Sequence, residues 1–230
     1  MVKGTVLACD SSSRTTSVAL LREGALLGEW TEATPAGSSR RLMGVIADLL
    51  GRHQVRPSQV DLFVVSRGPG SFTGVRVAMA AMKGLAMATS RPISVVSSLL
   101  ALAFPLARPG ALVLSAIDAR NMEVYGAAWA DDRVVVSEGL FKAASLAETV
   151  AEVWKEGEVI GVGDGLIAHL DTFARVLGPR LVVAGPSFHV IRASVLAEIG
   201  ASLAPVPASE AVPTYLRRSA AEERALRNEA

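Results

Sequence analysis

Residues 61–76 read Asp61-Leu62-Phe63-Val64-Val65-Ser66-Arg67-Gly68-Pro69-Gly70-Ser71-Phe72-Thr73-Gly74-Val75-Arg76. The first five, rich in β-branched and aromatic side chains, predict a buried strand. Gly68-Pro69-Gly70 predicts a tight turn, because glycine tolerates positive φ and Pro69 disfavours helix at Gly68. Ser71 or Thr73 can then accept a bond from a free backbone N–H and cap the helix that follows. A strand, a glycine turn and a helix N-terminus together make a place where backbone N–H groups can receive an anion.

Between Val75 and Met87 that helix carries only Arg76 and Lys83 as charges, seven residues apart on one narrow strip. Gly74, Ala78, Ala81, Leu85 and Ala88 form a small-residue face, and Val75, Met79, Met82 and Ala86 a second apolar face. A surface helix needs one apolar stripe, so a helix apolar nearly all round is covered on more than one side. Two readings stay open. It is a core helix between its sheet and a neighbouring element, or one face meets the sheet and the other a second protein. Small residues and methionines suit close, adaptable contact.

The chain of 230 residues is half apolar and carries a net charge of +1. That is enough apolar material for one large domain or two small ones. Arg and Lys are scattered, which argues against a dedicated nucleic-acid surface and predicts weak nucleic-acid binding. One cysteine, Cys9, excludes an internal disulfide and a cysteine zinc site, and its apolar neighbours predict a buried, inert thiol. No secretory h-region opens the chain, and no charge-free apolar run reaches the roughly 18 residues of a membrane span. A soluble, cytoplasmic protein with no membrane partner is expected.

Taken in order, strands are predicted over 5–9, 16–21, 25–30, 61–65 and 93–96, with helices over 38–50, 72–88 and 97–107. Ser38 or Ser39 is read as the first helix's cap and Gly51 as its stop. At Pro109 the pattern begins again, with strands over 111–117, 123–129, 133–137, 159–162 and 181–184 and helices over 146–154, 166–177 and 193–203. Strand–Asp–turn–strand–turn–strand thus occurs at Asp10 and again at Asp118. A half-chain repeat predicts duplicated α/β domains, 1–108 and 109–230, each a mixed sheet with flanking helices. Residues 205–213 read as a Pro/Ala linker, Pro213 to Arg218 as an extended arm, and 219–230 as a fraying charged end.

Several catalytic templates fail. No G-x-x-x-x-G-K-[ST] loop, H-E-x-x-H or G-x-S-x-G elbow is present. Gly161-Val162-Gly163-Asp164-Gly165 misses the dinucleotide template at Leu166, and His53, His169 and His189 lack metal spacing. No metal ligand set is predicted. Asp10 and Asp118 either hold a metal–nucleotide complex in a cleft between the halves or simply cap strand ends. The turn after Asp118, Ala-Arg-Asn, offers no glycine through which backbone approaches a phosphate. Gly161 to Gly165 wraps an adenine or is a flexible turn. The candidate nucleotide or anion set is Asp10, Ser11, Gly68, Gly70, Ser71, Asp118 and Gly163.

Residues 68–76, the start Leu7-Ala8-Cys9-Asp10-Ser11-Ser12, the turn Ala116-Ile117-Asp118-Ala119-Arg120 with Glu123-Val124-Tyr125, and Pro213-Thr214-Tyr215-Leu216-Arg217 together resemble the TsaB (YeaZ) family. The resemblance covers 5–130 and the arm; 131–205 match only in the order of elements. It implies an actin-like, Hsp70-like (ASKHA) fold of two related domains. It also implies a non-catalytic subunit that pairs with TsaD, with the ATPase TsaE, in forming N6-threonylcarbamoyladenosine at position 37 of tRNAs reading codons that begin with A. Alone, such a subunit forms a homodimer; it needs no cofactor, and ATP or ADP belongs to the complex. Helices 38–50 and 72–88 are the implied pairing surface. Its residues here are Leu42, Val45, Ile46, Gly70, Phe72, Thr73, Gly74, Arg76, Ala78, Met79 and Met82. Family members often carry a histidine at the start of the first helix, where this chain has Ser38-Ser39-Arg40-Arg41. The competing readings are a stand-alone ATPase or small-molecule kinase of the same fold, and a peptidase, for which metal and triad residues are missing.

Overall fold

Aliphatic and β-branched runs set the strands of the computed structural model, which describes residues 3–33, 41–131 and 133–217. Strands β1 (Thr5–Asp10), β2 (Thr15–Arg22), β3 (Ala25–Ala33), β4 (Leu62–Ser66) and β5 (Ile93–Val96) form one sheet ordered β3-β2-β1-β4-β5. The β1–β2 and β2–β3 pairs are antiparallel, and β1–β4 and β4–β5 are parallel. Every residue of β1 is buried. A strand covered on both faces has no reason to alternate, hence the unbroken apolar run Val6-Leu7-Ala8-Cys9.

Strands β6 (Ala111–Arg120), β7 (Glu123–Ala130), β8 (Arg133–Lys142), β9 (Glu158–Val162) and β10 (Leu181–Val183) repeat this wiring in the order β10-β9-β6-β7-β8. β8 is longer than the sequence predicts, because Val124 of β7 pairs with Phe141 and carries the ladder past Gly139. The next helix consequently begins at once, at Ala143.

Helices α1 (Leu42–Arg52) and α2 (Phe72–Thr89) cover one face of the first sheet. There Leu42, Ile46, Ala78, Met79 and Met82 pack with Leu7, Cys9, Phe63 and Val65. Gly51 lies within α1 instead of ending it. Ser38 and Ser39, read as its caps, and the segment from Arg218 onward lie outside the described residues. Helices α4 (Ala143–Val153), α5 (Asp164–Ala168) and α6 (Leu170–Leu177) cover the outer face of the second sheet. The single helix expected over 166–177 is two, interrupted at His169, where φ is −121° and ψ 26°.

The remaining helices are exchanged. α3 (Ser98–Ala103) follows the first sheet in sequence but packs on β6 and β7, and α7 (Ala193–Ser202) follows the second sheet but packs on β1, β2 and β4. Leu99 and Leu102 of α3 and Leu196 and Ile199 of α7 join one core with Val6, Val64, Val113 and Ile160. A division at 108/109 separates the sheets but not the packing. Residues 205–213 are not a free linker either. Val206 bridges Ile93, covering the outer edge of β5, and Ala208 and Ala211 are buried against the first sheet's core. Covering an edge strand removes a row of unpaired backbone groups.

Candidate functional site

The 68–76 motif docks on the turn between β1 and β2. The Ser71 N–H donates to Ser12 O at 2.6 Å, and the Ser11 hydroxyl donates to Gly74 O at 2.7 Å. Ser71 is the cap, its Oγ accepting from the Gly74 N–H at 3.3 Å. A Cβ on Gly70 would lie 2.1 Å from Ser12 O, and one on Gly74 1.8 Å from Ser11 O. These glycines admit a neighbouring backbone, and the Ser71 and Gly74 N–H groups that an anion would take are already bonded within the chain. Gly68 is buried under Thr214.

Asp10 and Asp118 occupy equivalent strand ends and make one equivalent bond. The Ser12 N–H donates to Asp10 Oδ1 at 3.1 Å, and the Arg120 N–H to Asp118 Oδ1 at 2.9 Å. Asp10 is fully enclosed. Its Oδ1 also accepts from the hydroxyls of Ser12, at 2.6 Å, and Ser66, while Oδ2 has no partner among the described residues. Burial pushes its pKa up, against the opposing bonds from Ser12 and Ser66. A carboxyl whose folded pKa exceeds its unfolded value stabilises the fold when protonated. That contribution is complete below about pH 4 and is lost as pH rises through the raised value. Asp10→Asn, neutral throughout, should therefore melt above the parent at pH 7 and lose the advantage as pH falls toward 4. Thermal scans across that range check it; an advantage that is absent, or constant with pH, contradicts it.

Between the halves, Arg14 reaches across from the β1–β2 turn. It meets Asp118 Oδ2 at 3.1 Å and lies 3.9 Å from Asp164 Oδ2. Asp164 Oδ1 accepts the Asp118 N–H at 3.0 Å, and burial raises the Asp164 pKa. Beside this bridge lies a cleft of about 710 Å³ lined by Arg14, Asp164, Ile167, Ala184, Pro186 and His189. His189 Nδ1 accepts the Gly163 N–H at 3.1 Å, and its Nε2 lies 2.8 Å from Ala184 O. Both nitrogens therefore knit the cleft wall. Asp164 is the one carboxylate and Arg14 the one guanidinium among the residues lining the cleft, and the two are paired across it. Among the described residues no group of three or more His, Cys, Asp or Glu is placed to hold a metal, and burial pushes the Cys9 thiol well up.

The expected pairing surface divides in two. Leu42, Ile46, Ala78, Met79 and Met82 are buried against the first sheet. Their apolar character is used inside this chain, which corrects their assignment to a partner. Val45, Gly70, Phe72 and Gly74 are half-buried, and Thr73 and Arg76 are exposed. The open face of α2 is Thr73, Arg76, Ala80, Gly84 and Met87, and that of α1 is Met43, Gly44, Ala47 and Asp48. Met87 is 65 % exposed and Met43 48 %. A Cβ on Gly44 or Gly84 would meet none of the described residues within 4 Å.

The arm is laced over the start of α2. The Thr214 N–H donates to Arg67 O at 2.7 Å, and Arg67 bonds the Thr214 hydroxyl and Glu138. Lys83 donates to Ala211 O at 2.8 Å, and Tyr215 stacks on Phe72 with ring centroids 5.1 Å apart. Arg217 ends the arm on the second half, bonding Ala119 O at 2.7 Å and Glu123.

Comparison with known proteins fits this geometry. The family model described as "TsaD: tRNA N6-adenosine threonylcarbamoyltransferase" matches residues 32–203. The "tRNA threonylcarbamoyladenosine biosynthesis protein TsaB" of Bacillus subtilis is 32 % identical over 95 % of this chain and 96 % of its own length. The chain belongs to the TsaB (YeaZ) family. The Escherichia coli TsaB is 33 % identical over 70 % of this chain and 71 % of its own. A solved structure, "YeaZ from Pseudomonas aeruginosa", superposes with a TM-score of 0.78 at 35 % identity, over 93 % of this chain and all of that one. The fold is accordingly the duplicated actin-like α/β fold, and the two sheets carry matching strand orders.

Within this TsaB-family chain, sequence reasoning missed the Arg14 bridge to Asp118 and Asp164, the Tyr215–Phe72–Arg76 stack and the small-residue outer face. Only the last left a local signal. Thr73, Val77, Ala80, Gly84 and Ala88 recur at three- and four-residue intervals, a stripe opposite the buried Val75, Ala78, Met82 and Ala86. The partner of Arg14 lies 104 residues away in sequence, and that of Arg76 139. Such pairings leave no trace in local pattern. Among the described residues, no helix is long and apolar enough to cross a membrane.

Proposed function

We propose that this chain is a non-catalytic partner subunit in forming N6-threonylcarbamoyladenosine on tRNA, binding a TsaD-type threonylcarbamoyltransferase together with TsaE through the open faces of α1 and α2. Alone it pairs with its own copy through the same faces. It acts in the cytoplasm, needs no cofactor of its own, touches tRNA weakly or through the complex, and leaves ATP or ADP to that complex. The observation that carries this reading is the pair of helix-interior glycines at open positions. Glycine costs a helix about 1 kcal/mol relative to alanine. None of the described residues occupies the space beside Gly44 or Gly84, so no contact among them accounts for either glycine. A second backbone approaching closely does. The names of the relatives supply the pathway, and the enclosed Asp10, its Oδ1 already bonded within the chain, argues against a stand-alone ATPase or kinase.

Gly84→Glu tests this. The substitution meets no clash and raises helix propensity, so the monomer should stay folded. A carboxylate in the contact should abolish both pairings and stop the chain from supporting tRNA modification in a reconstituted reaction. Light scattering gives the mass and circular dichroism the fold. A folded Gly84→Glu that still pairs and still supports modification overturns the reading.

A further inference from the structure

At the N-terminal end of the open α2 face stands one cation with an unusual degree of order. The Arg76 guanidinium lies 3.7 Å over the Phe72 ring and 5.4 Å from the Tyr215 ring centroid. Its Nε donates to the Tyr215 hydroxyl at 2.8 Å. An exposed arginine ordinarily samples many rotamers, and fixing it costs about 2 kcal/mol of side-chain entropy. Here two rings and a hydrogen bond within the chain already fix it. With Nε occupied, the two terminal nitrogens remain, and neither has a partner among the described residues.

No aspartate or glutamate occurs between Asp61 and Asp118. The other cations of that stretch are matched from elsewhere. Arg67 meets Glu138, Arg91 meets Asp61, Arg108 meets Glu158, and Lys83 is bonded to the carbonyls of Ser209 and Ala211. Among the described residues, Arg76 alone of these cations has no anion or carbonyl. It borders the small-residue stripe Thr73, Ala80 and Gly84, which adds no further cation toward Met87. A nucleic-acid backbone calls for several cations along a track. One pre-oriented fork beside an apolar face calls for a single carboxylate.

We infer that Arg76, clamped between Phe72 and the arm residue Tyr215, is the charged anchor of the α2 docking face and receives an aspartate or glutamate side chain of the partner protein. Tyr215 is a positioning residue acting through Arg76. The arm thereby makes docking depend on its own seating across both halves of the chain. This rests on the α1/α2 face being the docking surface, as proposed above.

The test uses the full chain and the TsaD-type partner of the same organism, titrated at low and high salt, with circular dichroism as the folding check. Arg76→Gln should weaken binding roughly 10- to 100-fold and flatten its salt dependence. Arg76→Lys should not restore it, because a flexible ammonium cannot reproduce a stacked, two-pronged donor. Tyr215→Ala should weaken binding while leaving the salt slope in place, since the charge remains but its orientation is lost. If Arg76→Gln binds like the parent while Gly84→Glu does not bind, the anchor is wrong and the docking face stands. If neither substitution changes binding, both fail. If Arg76→Gln weakens only the binding of tRNA, the fork receives a phosphate and the inference is overturned.

Discussion

Met82→Glu is expected to leave no folded protein at 25 °C. Met82 is 0 % exposed and packs with Leu7, Phe63 and Val65 between α2 and the first sheet. The side chains named there are all apolar and offer a carboxylate neither a charge nor a hydrogen bond. A buried, unpaired charge costs several kcal/mol, against a total stability of about 5–15 kcal/mol for a domain. The matched control is Gly84→Glu, two residues along the same helix and on its open side. Circular dichroism of the two purified variants should show helical signal and a cooperative melt for Gly84→Glu and neither for Met82→Glu. A folded Met82→Glu that had lost only its pairing would mean that α2 is turned by about half a revolution from the orientation described here.

Gly74→Ala sets two effects of opposite sign against each other. In a helix interior alanine is favoured over glycine by about 1 kcal/mol. Local propensity alone therefore predicts a more stable protein. Packing predicts the reverse, because the added Cβ would sit 1.8 Å from Ser11 O and 2.9 Å from Ser11 C. That obstacle is backbone, not a mobile side-chain end. It is held by the Ser11 hydroxyl on Gly74 O and by the Ser71 N–H on Ser12 O. Overpacking of this kind costs about 1–3 kcal/mol and occasionally more. With the cost at the upper end of that range, because the obstacle is backbone, and the propensity gain set against it, a net loss of about 1–2 kcal/mol is expected, lowering the midpoint by roughly 2–8 °C. Calorimetry on the single variant decides it; a midpoint equal to or above the parent's would show that the β1–β2 turn yields. Its consequence reaches function, since the same contact seats the end of α2 from which Phe72 and Arg76 project.

Local pattern placed the strands and their repetition, though not every element's bounds. β-Branched runs, glycine turns and the Asp10 and Asp118 strand ends are local signals, and they placed ten strands in two matching sets. The cap was legible as Ser71 or Thr73, because a cap needs only residues a few positions apart, and the structure places it at Ser71. The resemblance to the TsaB (YeaZ) family was written in motifs as local as these.

What the tertiary structure alone decided was direction and partnership. α2 is apolar nearly all round, and burial of apolar surface is non-directional. The pattern therefore contained two faces but no statement of which meets the sheet, and the expected pairing residues Ala78, Met79 and Met82 proved to be core. The crossing of α3 and α7 onto each other's sheets, the seating of the arm and the Arg14 bridge depend on residues far apart in sequence. Their energy exists only once both sheets are formed and facing, so no local pattern could hold it.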